Sequence, residues 1–131
     1  VRTYTFSVPD RLPGLNEYTK ACRSNAFVGA KMKKDCEELI RWYIKAQLGD
    51  AIKAKQLPPK VPVKVYFKWT EAGGKPRDKD NIAVAKKFLL DAMVAEGVLL
   101  DDAWDYVDGF EDAFERGKHY GVTVDILILD K

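Results

Sequence analysis

Two aspartates two residues apart, Asp78 and Asp80, open the most informative stretch of this chain, and the adjacent pair Asp101 and Asp102 closes it. In an extended segment, residues i and i+2 project to one side. Asp78 and Asp80 therefore offer two hard carboxylates in one direction, half of an oxygen site for a magnesium-type cation. Asp80 also suits a purely structural role, because Asp is favoured at a helix N-cap; capping leaves Asp78, further out, unexplained. Adjacent loop aspartates such as Asp101 and Asp102 are ordinarily solvated. Three gathered carboxylates repel one another unless protons or a cation offset the charge. A cation held by Asp side chains and waters keeps positions open for phosphate oxygens, so the chemistry implied is metal-assisted phosphoryl chemistry.

The elements that must position these acids follow from periodicity. A helix is expected from Asp80 or Asn81 to Glu96, with Ile82, Ala85, Leu89, Ala92 and Met93 on its buried arc and Gly97 as its stop. Asp80, Lys87 and Asp91 fall on the opposite side. Lys87 is either half of a solvated i,i+4 pair with Asp91 or a cation beside the carboxylates; Lys86, on the flank, is the second candidate. Val61, Val63, Val65, Phe67 and Trp69 alternate with Lys64, Tyr66 and Lys68, a strand with one apolar and one basic face. Further strands are expected over Thr3–Val8 and Gly121–Leu129. A long helix is expected from Gly29 or Ala30 to Leu48, with Met32, Cys36, Leu39, Ile40, Tyr43 and Ile44 as its stripe. Trp104–Phe114 reads as a strand or an irregular acidic segment, and Thr19–Asn25 as a polar stretch. The order predicts one α+β (mixed α/β) domain over residues 1–131, a small sheet packed with two main helices.

Composition narrows the field. The chain has 131 residues, 47% apolar and 32% charged, enough for one core. No run approaches the roughly 18–20 apolar residues of a spanning helix, and Val1–Phe6 reads as a strand, not a secretory leader. Two cysteines, Cys22 and Cys36, without a C-x-x-C pair, fit free thiols in a reducing cytoplasm. A single histidine, His119, argues against a Cys/His zinc site and against a Ser-His-Asp machine. From Lys53 to Lys87 there are ten Lys or Arg against three acids; from Asp91 to Glu115 there are nine acids and no Lys or Arg. Such blocks either pair on an ordinary surface or set phosphate contacts beside a cation site. In the second case Lys64, Lys68, Lys75, Arg77, Lys79 and Lys86 are the candidates to hold a nucleic-acid backbone.

Arg77-Asp78-Lys79-Asp80-Asn81, a helix containing Leu90-Asp91-Ala92-Met93, then Gly97-Val98 and Asp101-Asp102, resemble the signature of the RusA family of Holliday-junction resolvases. Pro13-Gly14-Leu15-Asn16-Glu17-Tyr18 resembles the turn after that family's first strand, and adds Asn16 to the candidate DNA contacts. The resemblance implies a RusA-like homodimer that binds four-way (branched) DNA and cuts it with magnesium, or manganese in its place. It implies Asp78, Asp80 and Asp102 as metal ligands and catalytic acids, with a catalytic lysine. Counting back from Asp91 gives Lys87; counting forward from Asp80 gives Val84, so the helix is about three residues longer than the family pattern. Two other readings compete: a DNA- or junction-binding module that does not cleave, and a structural domain whose acids form a solvated face.

Overall fold

The computed structural model describes residues 2–129. The order is β1 (Arg2–Val8), α1 (Leu15–Ser24), α2 (Ala26–Lys53), β2 (Val63–Glu71), α3 (Lys79–Ala83), α4 (Lys86–Ala95), β3 (Val107–Arg116) and β4 (Gly121–Ile128). The four strands form one mixed sheet in the order β1-β4-β2-β3. β4 is antiparallel to both β1 and β2, while β2 and β3 run parallel, joined by α3 and α4. The domain is α+β, as the order of patterned segments predicts.

One face of the sheet is covered and the other is open. On β2, Val63, Val65, Phe67 and Trp69 are buried, and so are Phe6, Val8, Val124, Ile126 and Ile128 on the same side. They meet Ile40 and Ile44 of α2 and Phe88, Leu89 and Met93 of α4 in one core. Lys64, Tyr66 and Lys68 have the opposite parity and face away from the helices. α2 and α4 are also stitched by charge: Arg41 Nε and Lys45 Nζ lie 2.6 and 3.7 Å from Glu96, and Lys33 Nζ lies 3.7 Å from Asp91.

Several boundaries differ from expectation for identifiable reasons. The Thr19–Asn25 stretch lies within a helix, α1, and α2 starts at Ala26, because Asn25 ends the first and caps the second: its side chain accepts from Phe27 N at 2.7 Å. On α2, Cys36, Ile40 and Ile44 are buried as expected, but Leu39 is exposed. The expected single helix over 80–96 is two, interrupted at Val84–Ala85, where the bonds Ala85 N to Ile82 O and Lys87 N to Val84 O tighten to i→i+3. That break falls between Asp80 and Lys87, the stretch where sequence counting gives three extra residues. The expected buried arc (Ile82, Ala85, Leu89, Ala92, Met93) is buried throughout. Gly97 takes φ +82° and ends α4, with Val98 N bonded to Met93 O at 2.9 Å. The acidic segment forms β3, an exposed edge strand. β1, the other edge, is latched: Gln47 of α2 accepts from Ser7 N at 2.8 Å and donates to Ser7 O at 2.7 Å, so one outward backbone pair is closed to another strand.

Candidate cation and nucleic-acid site

The frame of the site is an ion pair that patterning conceals. Glu71 follows Val63, Val65, Phe67 and Trp69 at the same parity, so β2 points a carboxylate into the covered side; it is 6% exposed. Arg77 answers it bidentately, Nε to Oε1 at 2.7 Å and Nη2 to Oε2 at 2.8 Å, while Nη1 donates to Leu12 O at 2.8 Å. The guanidinium holds the Glu71 carboxyl below its ordinary range against the upward push of burial. Arg116 adds bonds from its guanidinium to the carbonyls of Glu71, Gly73 and Gly74. The Ala72–Pro76 loop is thus fixed at both ends, and the chain leaves Arg77 straight into Asp78. Arg77 is committed to this framework. It does not project into solvent to meet a phosphate, as the sequence reading expects.

Asp78 is the N-cap residue of α3 in backbone terms, with φ −62° and ψ 148° and its carbonyl accepting from Ile82 N at 3.0 Å, but its side chain makes no capping bond. The capping role weighed for Asp80 therefore belongs to Asp78's backbone, and Asp80 sits in the first turn. Both carboxylates are exposed and, among the described residues, have no hydrogen-bond or ion-pair partner. Asn81 anchors their helix: its Oδ1 accepts from Asn16 N at 3.0 Å, capping α1 from outside because the local cap residue, Gly14, has no side chain. A Cβ on Gly14 would lie 2.5 Å from Asn81 Oδ1. Glycine is what lets the two helix starts meet.

Lys87 makes the i,i+4 pair with Asp91 that its spacing suggests, and it reaches Asp102 as well. Lys87 Nζ stands 2.9 Å from Asp102 Oδ2 and 3.0 Å from Asp91 Oδ1. The two carboxylates, Asp102 first, hold the Lys87 ammonium above its ordinary range, and Lys87 in turn holds Asp102 below its own. Asp101 shapes the turn by accepting from Asp102 N at 2.8 Å. Behind Asp91 lies Glu37 of α2, whose carboxyl is pushed upward by burial first and then by the charge of Asp91, against the pull of Lys33. Its Oε1 is buried without a hydrogen bond, 3.9 Å from Lys33 Nζ.

The basic candidates divide into three places. Lys75 and Lys79 are exposed beside Asp78 and Asp80, Lys79 Nζ lying 5.8 Å from the Phe114 ring. Asn16 is exposed across from them at the start of α1, its backbone bonded to Asn81. Lys86 is taken by Asp112, at 2.6 Å, and sits over the rings of Phe67 and Phe110. Asp112 also accepts from Trp69 Nε1 at 2.9 Å, so Lys86 ties α4 to the edge strand. Lys64 and Lys68 stand on the open face, with Lys68 3.4 Å from Glu115. The structure does not bring them to the carboxylates. The signal for Glu71 and Asp112 was available: each is a charge at the inward parity of a strand whose neighbours at that parity are aromatic or aliphatic.

The donor chemistry at the α3 start suits a hard divalent cation, since Asp78 and Asp80 supply carboxylate oxygens without a partner among the described residues. Asp102, in the turn after α4, is held by Lys87, and the break between α3 and α4 separates Lys87 from Asp80. Among the described residues no three His, Cys, Asp or Glu side chains stand close enough together to form a ready cation cluster. A cation shared by all three acids requires Asp102 to leave Lys87 and the two groups to draw together. No helix among the described residues is long and apolar enough to cross a membrane. The chain matches no protein-family model and no curated protein.

Proposed function

We propose that this protein is a magnesium-dependent, structure-selective DNA endonuclease that resolves four-way junctions by paired phosphodiester hydrolysis, acting as a homodimer. The observation carrying this reading is the pair of exposed carboxylates Asp78 and Asp80, without a partner among the described residues, at a helix start framed by the Glu71–Arg77 pair, on the segment that continues into Lys87 and its partner Asp102. The resemblance of Arg77–Asp102 to the RusA signature supports it. Asp78 and Asp80, joined by Asp102, would hold magnesium or manganese, which supplies a polarised phosphate and an activated water when bound. Lys87, released from Asp102 and still paired with Asp91, would turn its ammonium toward the pentacovalent phosphate. Lys75, Lys79 and Asn16 flank the acids and would position the backbone; Arg77 acts by fixing the loop.

The test is a labelled mobile four-way junction beside a matched linear duplex, with magnesium, manganese or EDTA. Paired metal-dependent nicks in the junction alone are expected. Asp78→Asn should lower cleavage by at least about two orders of magnitude while junction binding persists; normal cutting by this variant in magnesium would sink the assignment. The double engagement of Lys87 by Asp91 and Asp102 favours one alternative, a junction-binding module that does not cut. Tight, salt-sensitive binding without nicking in either metal would select it.

A further inference from the structure

Beside the α3 start lies a cleft of about 270 Å³ with apolar walls and a cationic rim. Trp69 of β2 and Phe114 of β3 are register partners on the covered side of the sheet, and both line it. Ile82 of α3 and Pro76 of the preceding loop complete the walls. At the rim, Lys79 Nζ lies 5.8 Å from the Phe114 ring and has no carboxylate partner among the described residues. Arg116 donates to the carbonyls of Glu71, Gly73 and Gly74, so its charge also meets no carboxylate among those residues. The acids of the cleft are spent elsewhere. Glu71 is paired with Arg77, and Glu115, of opposite parity to Phe114, bonds Lys68 and Thr70 on the open face. Asp78 stands in the chain between Arg77 and Lys79, two residues that line the cleft.

We infer that this cleft takes the base of one unpaired DNA nucleotide, stacked on Phe114, with that nucleotide's phosphate against Lys79 and beside Asp78. The choice of DNA rests on the reading of the α3 start given above. Shape and charge select the ligand. Aromatic and aliphatic walls under a rim of uncompensated cations fit a flat ring that carries an anion. A volume of about 270 Å³ falls just under the roughly 300–1,000 Å³ of pockets for drug-sized ligands and suits a single ring system. A base inside a duplex has both faces covered by its neighbours and presents neither to Phe114. A base already freed at a branch point presents one, and gives up little stacking to enter. The Lys79 ammonium rests over the ring, a weak contact at an exposed site. An incoming base displaces it toward the phosphate. The cleft thereby supplies a reason for a cut to fall beside an unpaired nucleotide and not in linear duplex, which the carboxylates alone do not.

Equilibrium binding in EDTA, which withholds the metal, tests it. The probes are a duplex bearing one unpaired adenine and the same duplex with an abasic site in its place. The parent chain should bind the adenine form about tenfold more tightly. Phe114→Leu keeps an apolar side chain but removes the ring, and should erase that difference. Lys79→Ala, at an exposed position, should weaken both forms alike and reduce the salt slope by about one. Equal binding of the two forms by the parent chain overturns the inference, and that comparison needs no variant to fold. A preference that survives Phe114→Leu overturns it too, and Lys79→Ala without effect on either form overturns the place given to the phosphate. Junction cutting in magnesium without a preference for the adenine sinks the cleft and leaves the nuclease reading standing; the preference without cutting does the reverse.

Discussion

Arg77 shows how far a residue's type misleads without its neighbours. In sequence it stands in a basic block beside two aspartates and invites reading as a phosphate ligand. In the fold its guanidinium is spent on Glu71 and on the Leu12 carbonyl. Glu71 was readable in principle: a carboxylate at the inward parity of β2 needs a buried cation. Which cation answers it depends on the loop, and loop geometry leaves no periodic trace. Arg77→Ala should cost about 3 kcal/mol or more in denaturant unfolding, because it strands a buried carboxylate, and Arg77→Lys should recover only part of that, lacking the planar fork. The pH signature follows from the sign of the shift. Glu71 has its folded value depressed, so its contribution is fully present above the unfolded Glu value, about 4.3, and is lost as pH falls through the folded value. Stability of Arg77→Met should therefore decline less steeply below about pH 4.3 than that of the parent, as read from urea midpoints across pH.

Elements with strong period-3.6 or period-2 patterns were legible, and elements set by single residues were not. β2, β4 and the arc of α4 follow from alternation and spacing. The join of α1 to α2 turns on one side chain, Asn25, and the α3–α4 break on two tightened bonds, neither of which alters the apolar spacing. The long helix was legible but is about a turn longer at each end than expected, and Leu39 was assigned to its core because a stripe drawn from one sequence cannot tell a second apolar face from a wide first one. The end of α2 carries a testable strain. Lys55 sits at φ 61°, the left-handed position past the C-cap Ala54, with Gln56 N bonded to Ala51 O at 2.9 Å. Glycine is the residue suited to that position. Lys55→Gly should stabilise the protein by about 1 kcal/mol, measured as a raised urea midpoint with an unchanged slope. No gain would mean that the Lys55 side chain contributes a compensating contact.

For the whole molecule, the split of charge in the sequence maps onto the fold unevenly. The acidic block becomes the turn around Asp102 and the edge strand β3, while the basic block is divided between the α3 start, the α4 start and the open sheet face. Of the candidate site, the residue types and the Lys87–Asp91 pair were legible; the Lys87–Asp102 contact was not, because it depends on the turn after α4. Its division into two groups along α3 and α4 was not, since sequence spacing does not reveal where a helix breaks. The sheet order gives a whole-molecule prediction. β4 is hydrogen-bonded on both sides, to β1 and to β2. Ending the chain after Gly117 should therefore leave no cooperative unfolding transition, rather than a trimmed but native domain; a sharp transition in the truncated chain would show that β1 and β2 find another partner.

That same order has a consequence for biosynthesis. The strand pairing β1 to the rest of the sheet spans Gly121–Ile128, so Arg2–Val8 leaves the ribosome more than a hundred residues before its neighbour exists. Until then Phe6 and Val8 have no sheet to join. The connection from β3 to β4 must also pass over the end of β2, where Gly117 N donates to the Glu71 carbonyl at 3.0 Å. Neither β1 nor the β4 side of β2 can be paired until Gly121–Ile128 has been made. The sheet is therefore closed by a pairing between segments far apart in the sequence, the kind of contact that forms late in folding.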